Sequence, residues 1–338
     1  MRSKGARAGL LVAGSAAALA GAALLRRRRR LDLTGRVVLI TGGSRGLGLE
    51  LGRQFADEGA HIALLARDEA ALERAGLELA GVPLDLLPCD LADFAQVRRA
   101  VGELVRRHGR LDVLVNVAST IRVGPIENLG VEAFHEEMAN NFFGTLHAVY
   151  AALPHLERGV GRIVNVTSIG GRIPVPHLTP YTAAKFAAVG FSEALHAELE
   201  ANGIRVTTVT PGLMRTGSPY RAMFGGRREQ EFRWFLLLSS LPGLSMGSRH
   251  VARKIVAACK RGDASLILPA YLRVPIAAHA LAPGLFAQAA GLASRLLPGP
   301  AEAVGEELRE GKEVLPPERS PAYAALTRRA ARRNNELE

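Results

Sequence analysis

Tyr181 and Lys185 stand four residues apart, a spacing that stacks two side chains one turn apart on the same face of a helix. A phenol of ordinary pKa, near 10, keeps its proton at neutral pH, and a neighbouring cation stabilises the phenolate left when the proton departs. The pair is therefore a candidate for proton transfer, with Tyr181 as general acid in carbonyl reduction or general base in alcohol oxidation. A second chemical signal lies upstream, where Thr41-Gly42-Gly43-Ser44-Arg45-Gly46-Leu47-Gly48 follows an apolar run and leads into the helical pattern 49–58. Glycines at these positions let the backbone turn tightly and approach a pyrophosphate, whose charge then rests on the helix N-terminus.

The elements that must bring these signals together are legible as apolar runs at 37–41, 62–66, 84–88, 113–116, 163–167, 206–210 and 266–268. Each is separated from the next by a helix-length segment, and no repeat of fixed period runs through the chain. Continuous apolar strands joined by helical crossovers predict an α/β fold, a doubly wound, Rossmann-like parallel sheet with helices on both faces. Ligands of such sheets bind at the carboxyl ends of the strands. We expect a single catalytic domain over 31–270, an N-terminal apolar anchor within 1–30, and a C-terminal helical extension with a polar tail over 271–338.

On these motifs the chain resembles the short-chain dehydrogenase/reductase family, whose glycine pattern is TGxxxGxG. Tyr181-Thr-Ala-Ala-Lys185 matches the family's YxxxK, and Ser168 sits 13 residues before the tyrosine, as the family's catalytic serine does. Asn141, in Asn141-Phe-Phe-Gly144, matches the asparagine of the catalytic tetrad. Asp90-Leu91 resembles the pair that holds the adenine ring, and Pro211-Gly212 with Thr216 resembles the turn that fixes the nicotinamide amide. The resemblance covers about residues 35 to 217 and implies a nicotinamide cofactor held by Gly42, Ser44, Arg45, Gly46, Leu47, Gly48, Asn116 and Ala118, together with the residues just named. It also implies that Lys185 bonds the nicotinamide ribose, Ser168 holds the substrate oxygen and Asn141 supports a water relaying protons to the lysine.

Two positions bear on which nicotinamide is used. Where NAD users of this family carry an acid after the second strand, this chain has Ala66 followed by Arg67, and Arg45 adds a cation inside the glycine turn. Guanidinium groups hold a 2′-phosphate bidentately, so NADP(H) is expected over NAD(H). The chain departs from the family at Asn116-Val117-Ala118-Ser119, where NNAG is usual. Val117 loses a polar partner, and Ser119 brings a side chain to a place where the family has none.

The formal net charge of +11 is concentrated at the ends: residues 1–30 hold eight Lys and Arg and no acid, and the body is nearly neutral. A neutral body lacks the broad basic face that phosphate backbones require, so no nucleic-acid partner is expected. Residues 8–25 carry no charge and precede Arg26 to Arg30. As a helix they would span about 27 Å, and the arginines would keep that flank cytoplasmic. An uncleaved anchor is favoured over a cleaved signal peptide or an interfacial helix, which predicts a membrane-associated protein with its catalytic domain in the cytosol. Residues 274–294 are also uncharged, but Pro283-Gly284 interrupts them, predicting two short helices packed on the body or dipped into the membrane surface. After about residue 298 the chain reads as a polar, partly mobile tail. Cys89 and Cys259 lie far apart without CxxC neighbours, and the nine histidines form no metal-ligand pattern, so no disulfide and no metal are expected.

Residues 217–247 correspond to the family's substrate lid and contain Trp234-Phe235-Leu236-Leu237-Leu238 among Arg227, Arg228 and Arg233. An apolar lid favours a small lipophilic carbonyl or alcohol of retinoid-, steroid- or acyl-like character; packing over the active site or at a subunit interface is the alternative. His177 reads as a surface loop residue. The competing functions are a nucleotide-binding sensor or scaffold without turnover and an epimerase or dehydratase on the same fold. A homo-oligomer is compatible with the family.

Overall fold

Val37–Thr41 is a strand because five consecutive apolar or β-branched residues have nowhere to go but the interior, and all five are buried. The computed structural model describes residues 30–302 and 307–337; the expected anchor at 8–25 lies outside the described residues. Among those described, β1 (Val37–Thr41), β2 (His61–Ala66), β3 (Leu84–Pro88), β4 (Val113–Asn116), β5 (Arg162–Val166), β6 (Arg205–Pro211) and β7 (Ser265–Leu268) form one parallel sheet in the order β7-β6-β5-β4-β1-β2-β3. The order reverses between β1 and β4, and the crevice at such a switch point is where ligands bind.

Alternation along each strand divides the core between two faces. Val38 and Ile40 face one layer with α1 (Gly46–Ala56), while Val37 and Leu39 face the other with α3 (Phe94–His108). Asp68 caps α2 (Glu69–Glu78) by accepting from the Ala71 amide at 2.9 Å, and Asp93 caps α3 in the same way. The second half contributes α4 (Val131–Met138), α5 (Gly144–Ala152), the 21-residue α6 (Thr179–Leu199), α7 (Arg228–Ser240) and α8 (Ser248–Arg261).

The Pro283 break acts as expected: α9 (Arg273–Leu281) and α10 (Pro283–Ser294) are separate helices bent by 117°. No single helix among the described residues is long and apolar enough to cross a membrane. Val274, Leu281, Leu285 and Leu292 of this pair are exposed.

The end of the chain corrects the expectation of a partly mobile tail. Arg309–Glu310 pairs with Met223–Phe224, and α11 (Ala325–Arg333) packs against α7. Ala324 and Ala331 join Tyr220, Phe224, Phe232 and Leu236 in a third apolar cluster beneath the lid. The charged residues of α11 lie on one side of an amphipathic helix whose small apolar face is covered by the body.

Candidate active site

Ser168 follows the end of β5, in extended backbone, and its Oγ accepts from the Gly170 amide at 3.1 Å. Tyr181 lies in the first turn of α6, and it lines the same cavity as Ser168. One turn on, Lys185 Nζ stands 5.6 Å from the Tyr181 ring centroid. Burial dominates both groups: it pushes the Tyr181 hydroxyl up to about 12 and the Lys185 ammonium down to about 8.

Asn141 sits in a π-helical turn, Ala139–Phe143, between α4 and α5, the kind of local widening that recurs at functional sites. Its Nδ2 donates to the Thr120 carbonyl at 3.1 Å and to the Glu137 carboxylate. Its Oδ1 accepts from Ser119 Oγ at 2.6 Å. Glu137 is fully buried, and desolvation raises its pKa although Arg122 bonds it at 2.9 Å. The serine that stands where the family has a glycine is thus wired to the asparagine.

A cavity of about 800 Å3 opens at the carboxyl end of the sheet. Its wall includes Gly42, Ser44, Arg45, Gly46, Leu47, Gly48, Arg67, Asp90, Leu91, Ala118, Ser168, Tyr181, Lys185, Pro211, Gly212 and Thr216. Two residues assigned from the resemblance are not part of this wall. Asn116 is buried in the sheet, donating from Nδ2 to Asn165 Oδ1 at 2.9 Å across β4 and β5, and Asn141 lies behind Ser119.

The glycine turn is as tight as its composition requires. Gly46 has φ +58, and a Cβ on Gly48 would stand 2.1 Å from the Gly42 carbonyl oxygen, so neither position tolerates a side chain without a shift of backbone. The turn presents backbone N–H groups at the start of α1, Arg45 and Arg67 flank one end, and the Tyr181 hydroxyl and Lys185 lie toward the other. This cradle fits a nicotinamide dinucleotide: donors for the pyrophosphate, cations at the adenosine end and a proton carrier at the nicotinamide end.

The comparisons with known proteins agree with that geometry. A family profile described as short chain dehydrogenase matches residues 36–221. The chain belongs to the short-chain dehydrogenases. It is 35% identical over 206 residues to dehydrogenase/reductase SDR family member 7B of Danio rerio, covering 58% of this chain and 67% of that one. It is 33% identical over 253 residues to 11-beta-hydroxysteroid dehydrogenase A of Sesamum indicum, covering 72% and 71%. Among solved structures, a variant of actinorhodin polyketide ketoreductase with NADPH superposes with a TM-score of 0.61 at 30% identity, covering 70% of this chain and 97% of that one. This short-chain dehydrogenase is accordingly a nicotinamide-dependent oxidoreductase acting on CH–OH and C=O groups.

Four features of the site escaped sequence reasoning. Asp68, besides capping α2, holds the Arg45 guanidinium at 2.8 Å. His177 is not a surface residue: its side chain is 9% exposed, its φ is +62, and its Nδ1 lies 2.9 Å from Glu231 Oε1. The other oxygen of Glu231 accepts from Trp234 Nε1 at 2.7 Å, so a fully buried carboxylate fixes the lid tryptophan above the loop that precedes Tyr181. The fourth is Glu336, which lines the cavity. Its Oε2 accepts from the Gly217 amide at 2.5 Å, and burial pushes its pKa up to about 8. No local pattern marks these residues; Asp68 alone had a signal, as an acid directly before a helix.

Proposed function

We propose that this dehydrogenase transfers hydride between NADP(H) and a small lipophilic carbonyl or alcohol, of retinoid-, steroid- or acyl-like character, with residues 31–270 as its catalytic domain and 271–338 as an extension. The observation that carries this reading is the convergence of Ser168, Tyr181 and Lys185 on a cavity whose lining also includes the apolar side chains of Val175, Leu178, Trp234, Phe235 and Leu238.

When bound, the nicotinamide supplies or accepts the hydride. Ser168 Oγ holds the substrate oxygen against the Tyr181 hydroxyl, and in reduction Tyr181 donates its proton to that oxygen. The Lys185 ammonium, one turn away, offsets the phenolate charge that remains on Tyr181. Asn141, held on three sides by Thr120, Glu137 and Ser119, presents the polar end of the proton path that returns Tyr181 to its protonated form. Trp234 and Phe235 exclude water from the reacting carbon, and an apolar ring system or chain fits that wall better than a polyhydroxylated sugar. Arg45 and Arg67 bind the 2′-phosphate, with Asp68 orienting Arg45. The names of the relatives, a steroid dehydrogenase and a ketoreductase with NADPH, support the same substrate and cofactor class.

Membrane association through residues 8–25 belongs to the same reading. Its support is the uncharged 18-residue run followed by five arginines, and the exposed Val274, Leu281, Leu285 and Leu292 of the bent helix pair add apolar surface. The catalytic domain then lies on the cytosolic side, where lipophilic substrates partition into the bilayer beside it. Phe143, Tyr150 and Phe186 are exposed on α5, α6 and the π-helical turn before them, and are the surface from which a homo-oligomer would be built.

The test is NADPH oxidation by the detergent-purified protein with lipophilic aldehydes and ketones, run beside NADH and a Tyr181→Phe control. Turnover that prefers NADPH and is lost in the variant supports the reading. Binding of NADPH without turnover in either direction would favour the sensor instead.

A further inference from the structure

The last residues of the chain lie across the glycine turn. The Gly46 amide donates to the Asn334 carbonyl at 2.8 Å. Asn335 Nδ2 donates to the carbonyls of Ser44 at 2.8 Å and Ala71 at 3.0 Å, and its Oδ1 accepts from Arg74 Nε at 2.9 Å. Arg53 grips Asn334 Oδ1 at 3.0 Å. Asn335 takes the left-handed conformation, φ +57, which asparagine tolerates better than most residues, and this turns Glu336 into the cleft. Glu336 is 6% exposed. It bonds the Gly217 amide on one side, and on the other its Oε1 lies 3.0 Å from where a Gly46 Cβ would stand.

These contacts take up what a diphosphate needs. The N–H groups at the start of α1 attract an anion, and the absence of a side chain at Gly46 leaves room for one to approach. Both the first amide of α1 and the open face of Gly46 are engaged by the chain's own terminus. Glu336 fills the space beside Gly46 that a diphosphate would have to enter, and two groups do not occupy one close-packed seat.

We propose that residues 334–337 are an internal competitor of the dinucleotide, with Glu336 in the seat of the pyrophosphate, so that cofactor binds only when this strap lifts. The proposal rests on the dinucleotide reading of the cavity. The apparent affinity for NADPH is then the intrinsic affinity reduced by the fraction of molecules with the strap raised. α11 and the lid cluster anchor the strap at its base, so lifting needs only the last turn to detach. Because the strap touches Gly217, at the start of the lid segment, raising it also frees the lid from the glycine turn.

The experiment is NADPH and NADH titration of the full chain, of Glu336→Ala, and of a chain ending at Asn335, with thermal melting to show that each is folded and hydrogen exchange of residues 330–337 with and without NADPH. Expected are NADPH binding about tenfold tighter or more in both variants, as for a seat filled by the strap nine-tenths of the time or longer, and loss of protection at the Asn334 and Glu336 amides when NADPH saturates the wild type. Unchanged or weaker binding in both variants, with those amides still protected under NADPH, would overturn the proposal and make the strap a fixed wall of the site. If wild type and both variants bound neither NADPH nor NADH, the dinucleotide reading itself would fail and the competitor with it.

Discussion

Lys185 Nζ lies 5.6 Å from the centroid of the Tyr181 ring, and burial moves the two groups in opposite senses, the phenol to about 12 and the ammonium to about 8. Their proton affinities thereby cross: the tyrosine holds its proton across the whole physiological range, and the lysine is the group that titrates near it. Glu137 acts on both, favouring the charged lysine and disfavouring the charged tyrosine.

Carbonyl reduction therefore carries a basic limb set by Lys185. Its pKa is lowered, so the charge that offsets the phenolate is present below about 8 and is lost as the pH rises through that value. A kcat profile between pH 6 and 10 is expected to be level on the acid side and to fall above about 8. Lys185→Arg, which keeps its charge at all these values, moves the limb to higher pH.

Tyr181→Phe removes the donor and leaves the ring that lines the cavity. Carbonyl turnover is expected to fall by about two to four orders of magnitude, while the dissociation constant for NADPH, read by fluorescence titration, stays within about threefold.

Truncations around Asn141 separate positioning from folding. Ser119→Gly removes one of three bonds to the asparagine, and is expected to lower kcat several-fold while costing about 1 kcal/mol of stability. Glu137→Ala leaves Arg122 with Glu136 as its carboxylate partner in a site where the guanidinium is 11% exposed, and is expected to cost about 3 kcal/mol. Denaturant unfolding of both variants, alongside kcat, checks the contrast.

On the proposed NADP(H) reading, Arg45→Ala and Arg67→Ala each remove charge-assisted bonds to the 2′-phosphate. Each is expected to lower the ratio of kcat/KM for NADPH over NADH by about 10- to 100-fold. A ratio unmoved by both substitutions would mean that the 2′-phosphate is recognised elsewhere.

The sheet was legible in its strands, because a strand buried on both faces is predominantly apolar. The 37–41, 84–88 and 113–116 runs match the strands at both ends; 62–66 and 266–268 differ by a residue at one end, and 163–167 and 206–210 by a residue at each end. The same holds for the glycine turn and for the Tyr181 and Lys185 pair, whose geometry is set by local spacing on a helix. Ser168 and Asn141 needed the family's order and spacing to be found, since a serine after a strand and an asparagine before a helix carry no chemistry by themselves.

What the chain determined by itself, then, is everything encoded in periodicity and short-range spacing: the doubly wound sheet, the crevice at its carboxyl edge, the tight glycine turn and the Tyr181 and Lys185 pair. Tertiary structure alone decided the contacts that join distant segments: Arg45 with Asp68, His177 with Glu231, Asn141 with Ser119, and Glu336 with Gly217, 119 residues apart. A charged, arginine-rich terminus reads as solvated because charges favour water, and its small apolar face becomes visible only when the groove between the lid and α1 exists to receive it. The physical reason is range. Backbone geometry repeats over two or four residues and leaves a periodic trace, whereas a single buried carboxylate meeting an amide across the fold leaves none.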